Sequence, residues 1–146
     1  MALSKKEISI LIEIVFSIAF AFIFLPYFYE NLDNNLVLMD DLIVKIIEIV
    51  IFSVIYFSVA YSLLGFFKKT ETKDERDDMI NSKSYKLGYL LHEFFLFIFI
   101  GTLSSNFKNQ ELLNLTDVGI IFLIFILLIF ISFVKSSYQL YLHRTS

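Results

Sequence analysis

The chain of 146 residues is 58% hydrophobic and 18% charged, lacks cysteine, and carries a formal net charge of −3 at pH 7. Soluble domains average about 45–50% apolar and ~25% charged residues, and a chain this short cannot enclose so much apolar surface in one water-soluble core. An ordinary soluble globular domain, a disordered chain, a disulfide scaffold and a thiolate metal centre are thereby excluded, and the acidic balance weighs against nucleic acid as a partner.

Four apolar runs follow in chain order. The first, Ile8 to about Tyr29, comes after Lys5 and Lys6. It exceeds the roughly 7–15 residues of a signal-peptide core and no A-x-A cleavage pattern follows it, so it is expected to remain as a helix that Pro26 ends or bends. The second runs from Leu42 to Phe67, the third from about Leu87 to Ser104, and the fourth from Val118 to about Tyr141. A helix needs roughly 20 apolar residues to cross ~30 Å of hydrocarbon. The third run is the shortest and gains length through Tyr85 and Lys86. Lipid offers no partner to open backbone groups, and the alternation of a membrane barrel is absent, so the spans must be helical. The expected fold is an all-α, integral membrane four-helix bundle, residues 1–146 forming one transmembrane domain with spans of about 8–29, 42–67, 87–104 and 118–141.

Lysine and arginine counts give the expected orientation. Lys5 and Lys6 precede the first span, and the first connection, Glu30 to Asp41, has no basic residue. The second carries Lys68, Lys69, Lys73, Arg76, Lys83 and Lys86, the third only Lys108, and the C-terminus ends with His143 and Arg144. Both termini and the loop 68–86 are therefore expected in the cytoplasm, placing the protein in the cytoplasmic membrane. Without tryptophan, tyrosines supply the interfacial anchors: Tyr27 and Tyr29 outside, Tyr61, Tyr85, Tyr89, Tyr138 and Tyr141 inside. Asn114-Leu115-Thr116 matches a glycosylation acceptor, a pattern of low specificity.

The second connection is the densest in charge. Thr72-Lys73-Asp74-Glu75 reads as a capping box, and Asp74, Glu75, Asp77 and Asp78 suit the positive end of a helix dipole. The third helix is thus expected to start near Lys73 and to run unbroken from the cytoplasm into the bilayer. Asp74, Glu75, Arg76, Ile80 and Lys83 are the candidate docking residues of this extension. Asp74-Glu75-Arg76, followed by Ile80 and Lys83, also resembles the D-E-R-x-x-x-I-x-x-K signature of a family of small four-helix bacterial membrane proteins of uncharacterised function. The length and helix layout match that family, while Ser84 stands where it usually has alanine. The resemblance implies an architecture and no activity.

Ionisable residues inside a span are expensive and point to function by default. Glu13, His92, Glu93 and Lys135 lie roughly 7–9 Å inside the cytoplasmic boundary at 1.5 Å per residue. They are expected to form an intramembrane polar cluster in which Glu13 and Glu93 pair with Lys135. Lys45 and Glu48, three apart in the second helix, make an outer-side ion pair. Ser132, Lys135 and Gln139 share one stripe of the fourth helix. His92-Glu93 lacks the second histidine of a zinc protease, Leu96 standing in its place. Neither a nucleophile elbow nor a phosphate-binding loop occurs.

No enzyme, cofactor or metal site is implied. The expected function is that of a non-enzymatic membrane protein acting by interaction, as a regulatory, sensory or immunity-type component. Its expected surroundings are the lipid bilayer, a cytoplasmic or membrane protein partner, and further copies of itself. The alternative is a small oligomeric ion channel or membrane-perturbing effector with its polar cluster near the inner leaflet.

Overall fold

The computed structural model describes residues 4–32, 39–67, 75–108 and 116–145. They form four helices and, among the described residues, no strand: α1 (Lys5–Glu30), α2 (Met39–Phe67), α3 (Glu75–Lys108) and α4 (Asp117–Thr145). The expected Thr72–Glu75 capping box and Asp74 lie outside the described residues.

Side chains close the helix ends where water would otherwise have to. At the start of α1, Ser4 Oγ accepts from the Glu7 N–H at 3.1 Å while the Ser4 N–H donates to Glu7 Oε2 at 2.8 Å, a reciprocal box that satisfies two otherwise unpaired donors. Pro26 sits inside α1, which continues to Glu30. Thr116 opens α4: its hydroxyl accepts from the Gly119 N–H at 3.1 Å and donates to the Leu32 carbonyl at 2.8 Å. The threonine of the Asn-Leu-Thr triplet thus caps one helix and ties it to the end of another.

The Leu32–Thr116 contact lies at one end of the bundle and Glu7–Arg144 at the other, so α1 and α4 are antiparallel. The start of α1 and the end of α4 share an end with the start of α3, where Gln139 Nε2 donates to Asn81 Oδ1 at 2.7 Å. α1 packs most extensively on α4, α4 also packs on α3, and α2 leans more lightly on α1. α4 is therefore the central element of three helices, with α2 outside them against α1.

Aromatic packing fills the α1–α4 seam. Phe16, Phe20, Phe24 and Phe28 recur every four residues, which sets them on one helix face. Phe20 and Phe28 bring their rings to 5.5 and 5.3 Å from Phe125 of α4. On the α2 side Phe24 meets Phe52 at 5.2 Å and Phe16 meets Phe57 at 4.6 Å. Phe28 is fully buried. In lipid such packing, rather than the expulsion of water, holds helices together. It needs close approach, and Ser17, Ser84 and Ser136, with Gly88 and Gly119, supply the small buried positions. With four glycines in the chain, serines thus supply most of these small positions.

Outward faces are apolar as well. Phe22 is 79% exposed, and Val44, Ile47, Ile51 and Val54 line the open side of α2. A soluble monomer rarely shows such continuous apolar surface, and all four helices are long and apolar enough to cross a membrane. α3, at 34 residues, extends about 51 Å, beyond the ~30 Å of hydrocarbon. Its charged first turns make up the surplus.

Replacing Phe28 by alanine is expected to cost roughly 3 kcal/mol, at the lower end for Phe→Ala because only packing is lost. Phe22→Ala is expected to change stability by less than about 0.5 kcal/mol. Unfolding in detergent micelles measures both.

Candidate functional site

Two polar assemblies occupy the end of the bundle where α1 and α3 begin and α4 finishes. The deeper one is centred on Lys135. Its ammonium pairs with Glu13 Oε2 at 3.0 Å, and Ser136 Oγ donates to the same carboxylate oxygen at 2.7 Å. The Lys135 Nζ also stands 4.9 Å from the ring centroid of Tyr85 on α3. A Cβ built on Gly88 would lie only 3.2 Å from Lys135 Cγ, so the lysine stem runs directly across that glycine. One cation thereby binds three helices through an ion pair, a ring face and a close backbone passage. The serine bond and the ion pair converge on one carboxylate oxygen, and such added hydrogen bonding helps a charge pair to be tolerated away from water. Glu13 belongs to the inward stripe Ile10, Glu13, Ser17, Phe20 and Phe24, and the Ser17 hydroxyl donates to the Glu13 carbonyl at 3.1 Å.

Two residues expected in this cluster lie elsewhere. Glu93 does not join Lys135: it accepts a hydrogen bond from Tyr89, one turn earlier on the outer face of α3. His92 is one turn beyond Gly88, hence about 6 Å further along α3 than the lysine. It borders a groove of about 210 Å³ between α3 and α4, lined otherwise by apolar residues including Phe95, Phe99, Leu128 and Ile131. Helix geometry explains the separation. Gly88 faces α4, and positions four and five residues on rotate progressively away from the Lys135 contact.

The second assembly is nearer the helix ends. Asp77 receives Lys6 of α1 on Oδ2 and has His143 Nδ1 of α4 at 3.8 Å from Oδ1. Arg144 Nε lies 3.5 Å from Glu7 Oε1, and the Arg76 guanidinium donates to the His143 carbonyl at 3.4 Å. Just inside, the Gln139–Asn81 bond bridges α4 and α3 beside the buried Ile80 and Ser84. Among these residues, Asp77 carried the signal of a helix start, Arg76 and Ile80 that of the candidate docking segment, and Gln139 that of a polar stripe on α4. The rest were legible as charges near a membrane surface, and nothing in their spacing states that they meet.

The candidate docking residues split by face. Glu75, Arg76 and Lys83 are exposed, whereas Ile80 is 1% exposed and packs inside the bundle. Its side chain is therefore a packing residue and no part of an outer surface. At the opposite end Lys45 pairs with Glu48, and its ammonium stands 4.9 Å from the ring centroid of Tyr27. Among the described residues, no three His, Asp or Glu side chains converge as a metal site would require.

Lys135→Met strands the Glu13 carboxylate with Ser136 alone and is expected to cost about 3 kcal/mol. The double variant Glu13→Leu/Lys135→Met leaves no unpaired charge and is expected to cost clearly less than the two single changes summed. A double-mutant cycle of unfolding free energies in micelles tests this coupling. No family model matches the chain, and neither curated proteins nor solved structures give a match.

Proposed function

We propose that the chain is a non-enzymatic, multi-pass protein of the cytoplasmic membrane that acts by interaction, as a regulatory, sensory or immunity-type component. Both termini and the connection before α3 face the cytoplasm in this reading, which rests on the distribution of lysine and arginine. The kinship suggested by the Asp74–Lys83 signature with small bacterial four-helix membrane proteins belongs to the same proposal.

One observation carries it: the first turns of α3 are two-sided. Asp77, Ile80 and Ser84 face the bundle, where Asp77 is paired and the other two are buried. Glu75, Asp78 and Lys83 stand exposed on the other side, and Arg76, also exposed, lies at the edge where it reaches the His143 carbonyl. The inward face fixes the segment, so the outward charges are presented in a defined arrangement, and preorganisation of this kind lowers the entropic cost of binding a partner. Charge pattern then supplies specificity and encounter rate more than affinity.

A second reading, a small oligomeric channel or membrane-perturbing effector, is favoured by the Glu13–Lys135–Ser136 group inside the apolar bundle. It ranks below the first because these charges neutralise each other and the seam beside them is filled with phenylalanine.

Charge reversal at the exposed Lys83, Lys83→Glu, is the test. Native purification with mass determination is expected to find a stoichiometric partner with the unaltered chain and to lose it with the reversed one, while yield and thermal midpoint stay unchanged. A partner kept at full stoichiometry after reversal removes the proposal. Ion flux in liposomes that Lys135→Ala or Glu13→Gln alters supports the channel instead.

A further inference from the structure

We infer that α3 is the contact helix of a homodimer in which His92 of each copy hydrogen-bonds Glu93 of the other inside the membrane. α3 stands at the end of the row α2, α1, α4, α3 and packs extensively on α4 alone. Two ionisable side chains lie within its span, on faces turned from that contact. Glu93 is half-buried and accepts from Tyr89 of its own helix, which leaves much of the accepting capacity of a carboxylate unused. His92 is exposed and has no hydrogen-bond partner among the described residues. The imidazole keeps at least one N–H to donate in either charge state. Lipid tails offer neither donor nor acceptor, so both groups are costly there until a protein partner meets them.

Helix geometry makes the two residues self-complementary. At 3.6 residues per turn they stand about 100° apart, so a line midway between them leaves one about 50° to either side. Tyr89, Leu96 and Ile100 fall within roughly 30° of that line on the same repeat, and all three are exposed. They form a seam with a histidine flank on one side and a glutamate flank on the other. Two copies inserted in one orientation are related by a twofold axis along the membrane normal. That axis keeps each residue at its own depth and sets each flank against the opposite flank of its mate. His92 of one copy then meets Glu93 of the other on one side of the seam, and the reverse pair forms on the other side. The two carboxylates stay on opposite sides of the axis. Lys86 shares the glutamate flank about two turns nearer the helix start, so the two lysines are held apart in the same way.

α4 leaves this approach free. Gly88 and Ser84, buried toward the bundle, lie about 90° and 130° from the seam line. His92 and Leu96 also border the groove between α3 and α4, where His92 is the polar residue among apolar ones. A second α3 covers the open side of that groove. Close packing and interhelical hydrogen bonds are what drive helix association in lipid. The contact rests on α3 crossing the membrane and uses none of the outward charges of its first turns, so it is independent of the docking proposal.

The chain has no cysteine, so single introduced cysteines report the contact. In the full-length chain reconstituted in phosphatidylcholine liposomes, Leu96→Cys is expected to form disulfide dimers on oxidation. Phe22→Cys and Ile51→Cys, exposed on α1 and α2, are expected to remain monomeric. Energy transfer between copies labelled at the N-terminus, followed against protein-to-lipid ratio, gives the dissociation constant. His92→Leu and Glu93→Leu are each expected to weaken the dimer about tenfold, the loss of two hydrogen bonds in a membrane. His92→Glu sets carboxylate against carboxylate and is expected to abolish the dimer. The exchange His92→Glu/Glu93→His places each group opposite its complement again and is expected to restore it. Lys83→Glu is expected to leave cross-linking as it is, which separates this test from that of the docking surface. A monomer at every protein-to-lipid ratio, equal cross-linking at all three cysteines, or a dissociation constant indifferent to His92→Leu and Glu93→Leu overturns the homodimer.

Discussion

An ammonium and a carboxylate placed inside an apolar bundle leave little freedom to the helices that carry them. Lys135 and Glu13 are each costly alone in such surroundings and tolerable together, with Ser136 donating to the same carboxylate oxygen. Because one charge is on α1 and the other on α4, the pair sets the axial register of those two helices. The rest follows from that register. The phenylalanines of α1 reach Phe125 instead of lipid, Thr116 meets the Leu32 carbonyl at one end, and Arg144 meets Glu7 at the other. α3 joins through the same lysine, whose stem crosses Gly88 and whose charge faces Tyr85.

The distribution of polar groups divides the molecule into a part that holds shape and a part that meets its surroundings. Apolar packing is non-directional, and in lipid an outward phenylalanine loses little by facing a neighbouring tail. Direction comes from the few polar side chains, and among the described residues those that bridge α1, α3 and α4 gather toward one end, with Thr116 on the Leu32 carbonyl at the other. α2 is joined to α1, among the described residues, by the Tyr56 hydroxyl on the Ile12 carbonyl, at 2.9 Å, and by the Lys45 ammonium over the Tyr27 ring, and it is the lightly held helix. The end rich in polar bridges is also where the helix starts and stops carry charge, so architecture and candidate site are built from the same residues.

Much of the architecture could be read from the residues. Run length alone places four helices, since about 20 apolar residues are needed per crossing and four runs approach that number. Helix faces were harder. In a soluble helix the buried stripe is apolar and the rest is polar, but here lipid-facing and core-facing positions are both apolar, so periodicity carries almost no signal. Glu13 shows the difficulty: its stripe with Ser17 and Phe20 exists in the sequence, yet Val15, Ile18 and Phe22 form an equally apolar stripe that points outward. Depth along a helix predicted that Glu13 and Lys135 meet. Rotation about the helix, which depth does not contain, decided that Glu93 bonds Tyr89 and that His92 borders a groove. The contacts of Lys6, Asp77 and His143 were out of reach for a different reason: they join residues 71 and 66 positions apart, through helix pairings that only the folded bundle defines.

Magic-angle-spinning NMR of the full-length chain in lipid bilayers examines the Lys135–Glu13 pair itself. A through-space correlation between the Lys135 side-chain ¹⁵N and the Glu13 carboxyl ¹³C is expected, disappearing when Glu13 is replaced by glutamine together with a shift of the lysine resonance. Absence of that correlation, with a lysine resonance indifferent to Glu13→Gln, would contradict the register on which the bundle is built.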